Sequence, residues 1–258
     1  ITLDNASNND TMMRELERLL CRDGIPFHHE GNRIRPSRAR TSPDPVARCR
    51  TLVRSCRISW ARRRDLRQTI ILTMESKQLE LEGQNEPESS QEPAKPKELL
   101  RDVDTRWSAL FMMIDRLLEL YEAIDALLNA QKQKDIRKHA LDEMELRVLA
   151  DIREFLYVFH CVQELLSSNK TPTLPLSIPM YKSLMELLRM LRGRLPMLEN
   201  AINASLGRLR KYLSRARRSK AYALAMILHL EYKFTWIDKY WTAEEAADAR
   251  RWLQEAVS

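Results

Sequence analysis

A mainly α-helical protein is what this sequence predicts, and three observations predict it. Glycine is scarce, with five in 258 residues, at 24, 31, 83, 193 and 207; that is about 2% where roughly 7% is usual. Apolar residues recur at spacings of three and four over most of the second half, the period of a helix with one buried face. Leu, Arg, Glu and Ala are plentiful, and the turn-rich composition of sandwiches and propellers is missing. The glycine positions also exclude two enzyme classes. No pair is spaced for the G-x-G-x-x-G turn of dinucleotide-binding folds and none opens a G-x-x-x-x-G-K phosphate loop, so Rossmann oxidoreductases and P-loop ATPases are out.

The chain opens as Ile1-Thr2-Leu3-Asp4 and turns polar through Asn5 to Asp10, after which Met12, Met13, Leu16, Leu19 and Leu20 take up helical spacing. This reads as a strand, a turn and a helix. Asp4 stands where the strand finishes, a place suited either to chemistry or to capping the turn. Asn8, Asn9 and Asp10 offer side-chain oxygens to the first helical amides. With no initiator Met and no signal-peptide regions ahead of Ile1, the chain is expected to be a fragment or a truncated gene product.

From Arg33 to Arg67 there are twelve Arg, no Lys and two Asp, so this stretch carries +10 while the whole chain carries +7. Within it Val46, Cys49, Val53, Cys56 and Trp60 follow one another at spacings of 3, 4, 3 and 4, one stripe of a helix entered at Asp44-Pro45. The arginines fall on the other faces. Arg48, Arg50, Arg54, Arg57, Arg62, Arg63 and Arg64 could neutralise phosphates in a sequence-independent way, or could form a solvated face whose alkyl stems shield the core. Residues 75 to 98 then hold seven Glu and three Lys, with Pro87, Pro93 and Pro96 among Ser and Gln, and read as a disordered acidic linker.

Beyond the linker, Leu110, Ile114, Leu117, Tyr121, Ile124 and Leu128 form one helical stripe, and Leu141, Met144, Val148, Ile152, Phe155, Phe159 and Val162 form another. Residues 167 to 173 break the pattern. Pro179 is expected to open a third helix through Tyr181, Leu184, Leu188, Leu191 and Leu195. A fourth follows Glu199 with Ile202, Leu206, Leu209 and Tyr212 inside, and leads through Arg215, Arg217, Arg218 and Lys220 into an apolar run. The last starts at Thr242, with Glu245 at capping-box spacing and Ala246, Ala249 and Leu253 buried.

The four cysteines, at 21, 49, 56 and 161, contain no C-x-x-C pair, and the five histidines form no metal-ligand set. Cys49 and Cys56 share a helix face but are separated by about 10.5 Å of rise, too far for one disulfide or one metal. No run approaches the roughly 20 apolar residues of a membrane helix, so a soluble protein without a membrane partner is expected.

Four separated segments resemble the hAT superfamily of transposases. They are Thr2-Leu3-Asp4-Asn5-Ala6-Ser7-Asn8-Asn9, Asp44-Pro45-Val46-Ala47-Arg48, Leu99-Leu100-Arg101-Asp102-Val103-Asp104-Thr105-Arg106-Trp107-Ser108, and Leu228-His229-Leu230-Glu231-Tyr232-Lys233 with Trp241 beyond. With the Pro172-Thr173-Leu174 loop they span almost the whole chain in the family's order. The resemblance implies an RNase H-like fold interrupted by an all-helical insertion. In that family two Asp and one Glu hold Mg²⁺ ions that activate a water or a 3′-hydroxyl against a phosphodiester. Asp4 matches the second of those acids and a metal-ligand position. Arg106 and Trp107 match an Arg-Trp pair beside the active site that helps hold a flipped base, where a Trp face supplies roughly 1–3 kcal/mol of stacking.

The departures from the family count as well. The first catalytic Asp has no match here, none of Glu244, Glu245 and Glu255 is assigned the final Glu, and Pro36-Ser37-Arg38-Ala39-Arg40 stands where the family continues as a strand. The expected organisation is therefore a remnant of the RNase H-like α/β core, one or two strands, over 1–35; an Arg-rich helix over 36–74; the acidic linker over 75–98; and a helical insertion-like domain over 99–258. The expected function is that of a transposase-derived, nucleic-acid-binding fragment, nuclear and catalytically incomplete, that needs no cofactor by itself. Its partners would be DNA and other transposase chains. The alternative is an α-helical protein-interaction scaffold that binds no DNA.

Overall fold

The structure, a computed structural model, describes residues 44–82, 96–103, 107–167 and 172–258. The strand, turn and helix expected over 1–35, Asp4 among them, lie outside the described residues. Among those described the chain is mainly α, with ten α-helices and three single 3₁₀ turns. It divides into two compact units, one ending at Asp142 and the other running from Glu143 to Ser258. That boundary falls inside the region, 99–258, that the sequence reading takes as one helical domain.

The first described helix begins where expected. Helix α1, Pro45–Arg57, is entered at Asp44, whose carboxylate accepts from the Val46 amide at 3.0 Å, and Pro45 sits in the first turn, where its missing N–H costs nothing. Its buried stripe is Cys49, Leu52, Val53 and Cys56. Trp60 does not continue that stripe. The chain breaks at Ile58-Ser59, Ser59 Oγ accepts from the Arg62 amide at 3.2 Å, and a second helix, α2, Trp60–Glu82, starts with Trp60 67% exposed. The break turns one expected Arg-rich helix into two that pack on each other, and α2 runs on past residue 75 into the stretch read as linker.

The segment 96–103 lies in irregular backbone pinned at several points. Leu99 is buried, Lys97 pairs with Glu119, and the Glu98 carbonyl accepts from Arg116 Nη1 at 3.0 Å. Helices α3, Trp107–Glu119, and α4, Tyr121–Asn129, carry the expected stripe, interrupted only by a break at Leu120. Tyr121 leaves the stripe to make a polar clasp: its hydroxyl donates to the Leu141 carbonyl at 2.8 Å and accepts from the Leu141 amide at 3.1 Å. Helix α2 lies along α4, and α1 contacts α3 and the 3₁₀ turn Arg137–His139.

The second unit is built round α6. Helix α5, Glu143–Leu166, packs on α6, Leu174–Arg194, which also contacts α7, Glu199–Arg217, and α8, Lys220–Leu228; α9, Lys233–Tyr240, and α10, Ala243–Val257, close over α8. Pro179 does not open α6 but lies inside it, one turn after Pro175. The backbone bond that Pro179 forgoes is therefore one that would have ended on the first turn. The fully buried centre is Ile178, Leu188, Ile202, Ala223, Met226, Ile237 and Ala249. Two expected core positions turn outward: Met144 is 67% and Tyr212 60% exposed, while their sequence neighbours Glu145 and Leu213 are buried. The expected capping box at α10 is present, with Thr242 Oγ1 accepting from the Glu245 amide at 3.2 Å and Glu245 Oε2 from the Thr242 amide at 3.0 Å.

Candidate nucleic-acid interface

The seven arginines expected to contact phosphate on α1 and α2 divide into two groups. Arg48, Arg50 and Arg62 point into their own unit. The Arg48 guanidinium donates to the Ala140 carbonyl, joining α1 to the segment after α4. Arg50 Nε donates to Asp102 Oδ2 at 2.5 Å, and that carboxylate is 7% exposed. Arg62 is a hub: Nε donates to Gln133 Oε1 and Nη1 to the Ser55 carbonyl, both at 3.2 Å, while Nη2 pairs with Asp135. Gln133, itself buried, donates onward to Asp65 Oδ2 at 3.2 Å. These three are thus bonded to protein acceptors of their own unit. The physical reason is the break at Ile58-Ser59, which folds α2 back on α1 and brings both helices against carboxylates and carbonyls that are remote in sequence.

Arg54, Arg57, Arg63 and Arg64 face outward. Among the described residues no side-chain hydrogen bond or ion pair is made by Arg54, Arg57 or Arg63, and the side chain of Arg67 shares that state. Arg64 lies 5.0 Å from the exposed Trp60 ring, and its Nη2 is 3.6 Å from Asp65 Oδ1. Arg57, Arg63 and Arg67, joined by Lys97 and Glu98, rim a small shallow groove, open to solvent, whose floor is Leu66, Ile70 and Leu99. Sequence reading missed Arg67 and Lys97. Arg67 was legible as the i+4 neighbour of Arg63 on one helix, whereas Lys97 lies across a stretch of chain that only the fold brings back.

Trp107 opens α3 and is 41% exposed. Arg106 and Asp4 lie outside the described residues, so the pair Arg106-Trp107 and the metal-ligand position stay as sequence expectations. Among the described residues no group of three His, Cys, Asp or Glu side chains is placed to hold a metal ion. The described residues therefore offer no carboxylate set for Mg²⁺. No described helix is long and apolar enough to cross a membrane.

The cysteines of α1 lie directly beneath the arginine surface. Burial pushes the Cys49 thiol up to about 12, with Asp102 adding to the rise and Arg50 opposing it. Burial likewise takes Cys56 up to about 11 against the opposing charge of Arg62. Both are free and buried, so both are neutral thiols at physiological pH, filling space under α1 rather than serving as nucleophiles. The chain matches no family model, no curated protein and no solved structure.

Proposed function

We propose that this chain is a nucleic-acid-binding protein of hAT-transposase descent, acting in the nucleus by binding DNA rather than by cutting it. The observation that carries the reading is the outward group of arginines on the α1–α2 pair. Arg54, Arg57, Arg63 and Arg67 have no partner among the described residues, and Arg64 is laid over an exposed Trp60 ring. A guanidinium is always charged and presents a fork of donors to phosphate oxygens. An indole face beside it offers a stacking surface that tolerates any base. Each residue holds its direction because the other three arginines fasten the two helices to the rest of the unit.

The experiment is a salt titration of binding to a labelled DNA duplex and to its single strand. The expected result is an affinity that falls steeply with ionic strength, since each neutralised phosphate contributes about 0.9 to the slope of log K against log salt. Replacing Arg54, Arg57, Arg63 and Arg67 by Gln lowers that slope by about three to four. Addition of Mg²⁺ is expected to leave the DNA uncut. Affinity flat between low and high salt, or a slope that the four replacements leave unchanged, removes the reading.

A further inference from the structure

A second cationic surface lies in the other unit, on α7. Arg208, Lys211, Arg215 and Arg218 follow one another at spacings of 3, 4 and 3, so they form one row along the helix, Arg218 standing at its C-cap. The row is opposite the buried stripe Ile202, Leu206, Leu209, Leu213 and Ala216. All four side chains are exposed, and among the described residues none makes a hydrogen bond or ion pair. The cations just outside the row are used differently: Arg217 pairs with Glu245 at 3.6 Å and Lys220 with Glu255 at 3.1 Å. The chain has no Asp or Glu from Asn200 to Leu230 to neutralise the row locally.

Like charges three and four residues apart destabilise a helix. The macrodipole offsets this for Arg215 and Arg218 in the last turn, but not for Arg208 and Lys211 farther up. Four aligned cations without internal compensation are complementary to a linear polyanion. The row spans about 15 Å of helix rise, a length over which one DNA strand presents about four phosphates. An anionic membrane fits worse, because the apolar residues of α7 are already buried in its own unit and only Tyr212 is left exposed as a large apolar side chain, where a surface-lying helix would need an apolar face to insert.

We infer that the row Arg208, Lys211, Arg215 and Arg218 is a second nucleic-acid contact, tracking the phosphates of one strand, and that it binds independently of the α1–α2 arginines. The test uses the full chain with all four residues replaced by Gln, which keeps helix propensity; unchanged far-UV circular dichroism confirms that α7 is retained. On a labelled duplex the salt slope is expected to fall by about three to four and the low-salt affinity at least about tenfold. The same fall is expected in a chain already lacking the outward arginines of α1 and α2. If only the α7 replacements matter, the inference stands and the α1–α2 reading fails; if only the α1–α2 replacements matter, the inference is overturned. Polyglutamate or phosphatidylserine vesicles bound as tightly as DNA, with binding lost in the Gln variant, would also overturn it, by giving the row to another anion.

Discussion

In the unit that ends at Asp142, arginine is a structural residue: Arg48, Arg50 and Arg62 reach the Ala140 carbonyl, the Asp102 carboxylate and the Gln133 amide, and two of those partners are almost wholly buried. In the unit from Glu143 onward the centre is apolar, from Ile178 and Leu188 to Met226 and Ile237, and the ion pairs lie mostly at the rim, as Arg250–Asp238 at 2.7 Å and Lys220–Glu255 at 3.1 Å do. The difference teaches that a dense run of arginines does not by itself measure a phosphate-binding surface. The same run supplies the polar staples of one unit and its outward charges. Only the fold separates the two uses.

The contrast can be broken first at its apolar end. Leu188 is fully buried in the centre of the second unit, so Leu188→Ala removes its packing and leaves a cavity, with an expected loss of about 2–5 kcal/mol in urea unfolding. Hydrogen exchange read peptide by peptide should place the loss in α6, α7 and α8. Exchange that quickens only before Asp142 would mean the apolar centre is elsewhere.

The polar end breaks next. Arg50→Ala strands the Asp102 carboxylate, which is 7% exposed while Arg50 itself is 31% exposed. The partial exposure of Arg50 holds the expected cost to about 2–3 kcal/mol. Replacing Asp102 by Ala as well should recover part of that loss, because an unpaired buried charge costs more than a missing pair. A double variant as unstable as the sum of the singles would show that the two groups do not interact.

Much of this organisation was legible in the residues. The Asp44-Pro45 entry, the Cys49-Val53-Cys56 stripe and the Thr242-Glu245 box are local signals, and each appears where its spacing puts it. What was not legible is what a period cannot carry. The 3-4 spacing runs through Trp60 without a gap, yet Ser59 offers a cap that ends one helix and starts another. Glu145 and Leu213 are covered while Met144 and Tyr212 are not, because neighbouring helices, not the period, choose which flank of a stripe is covered. In the candidate interface, Arg54 and Arg63 were found as outward charges, but Arg50 and Arg62 look the same in sequence; their partners Asp102 and Gln133 are 52 and 71 residues away.

Smaller effects sharpen the comparison. Thr242→Ala removes one half of the α10 capping box and is expected to cost about 1 kcal/mol, felt as faster exchange in the first turn of α10 alone. Arg54→Ala and Arg63→Ala, in contrast to Arg50→Ala, should leave stability within about 0.5 kcal/mol of the parent, since neither group has a partner to lose among the described residues. A melt lowered as far by Arg63→Ala as by Arg50→Ala would erase the division between inward and outward arginines.

The smallest expected effect is an acid limb of pH sensitivity in the first unit. In the first unit His139 is held below its usual value by burial, then by the charges of Lys138 and Arg48, with Asp135 opposing. The unfolded chain therefore takes up that proton first, and the contribution of His139 to stability is present above about pH 6.5 and lost as pH falls through its folded value. In the second unit burial raises the Tyr181 phenol, helped by Tyr222 and Tyr212, and burial followed by the charge of Glu231 raises Tyr232. Their contribution is complete below about pH 10 and is lost as pH rises from there through their folded values. The first unit should thus weaken on the acid side through His139, and on the alkaline side from about pH 9 as its unfolded chain gives up the protons that burial holds on Cys49 and Cys56. The raised tyrosines weaken the second unit on the alkaline side. His139→Gln is expected to flatten the acid limb of exchange protection before Asp142 and leave the alkaline limb after Glu143 intact, and Tyr181→Phe to do the reverse. If each variant changed both limbs equally, the two units would be titrating as one cooperative body and the contrast between a stapled unit and an apolar one would not extend to their folding.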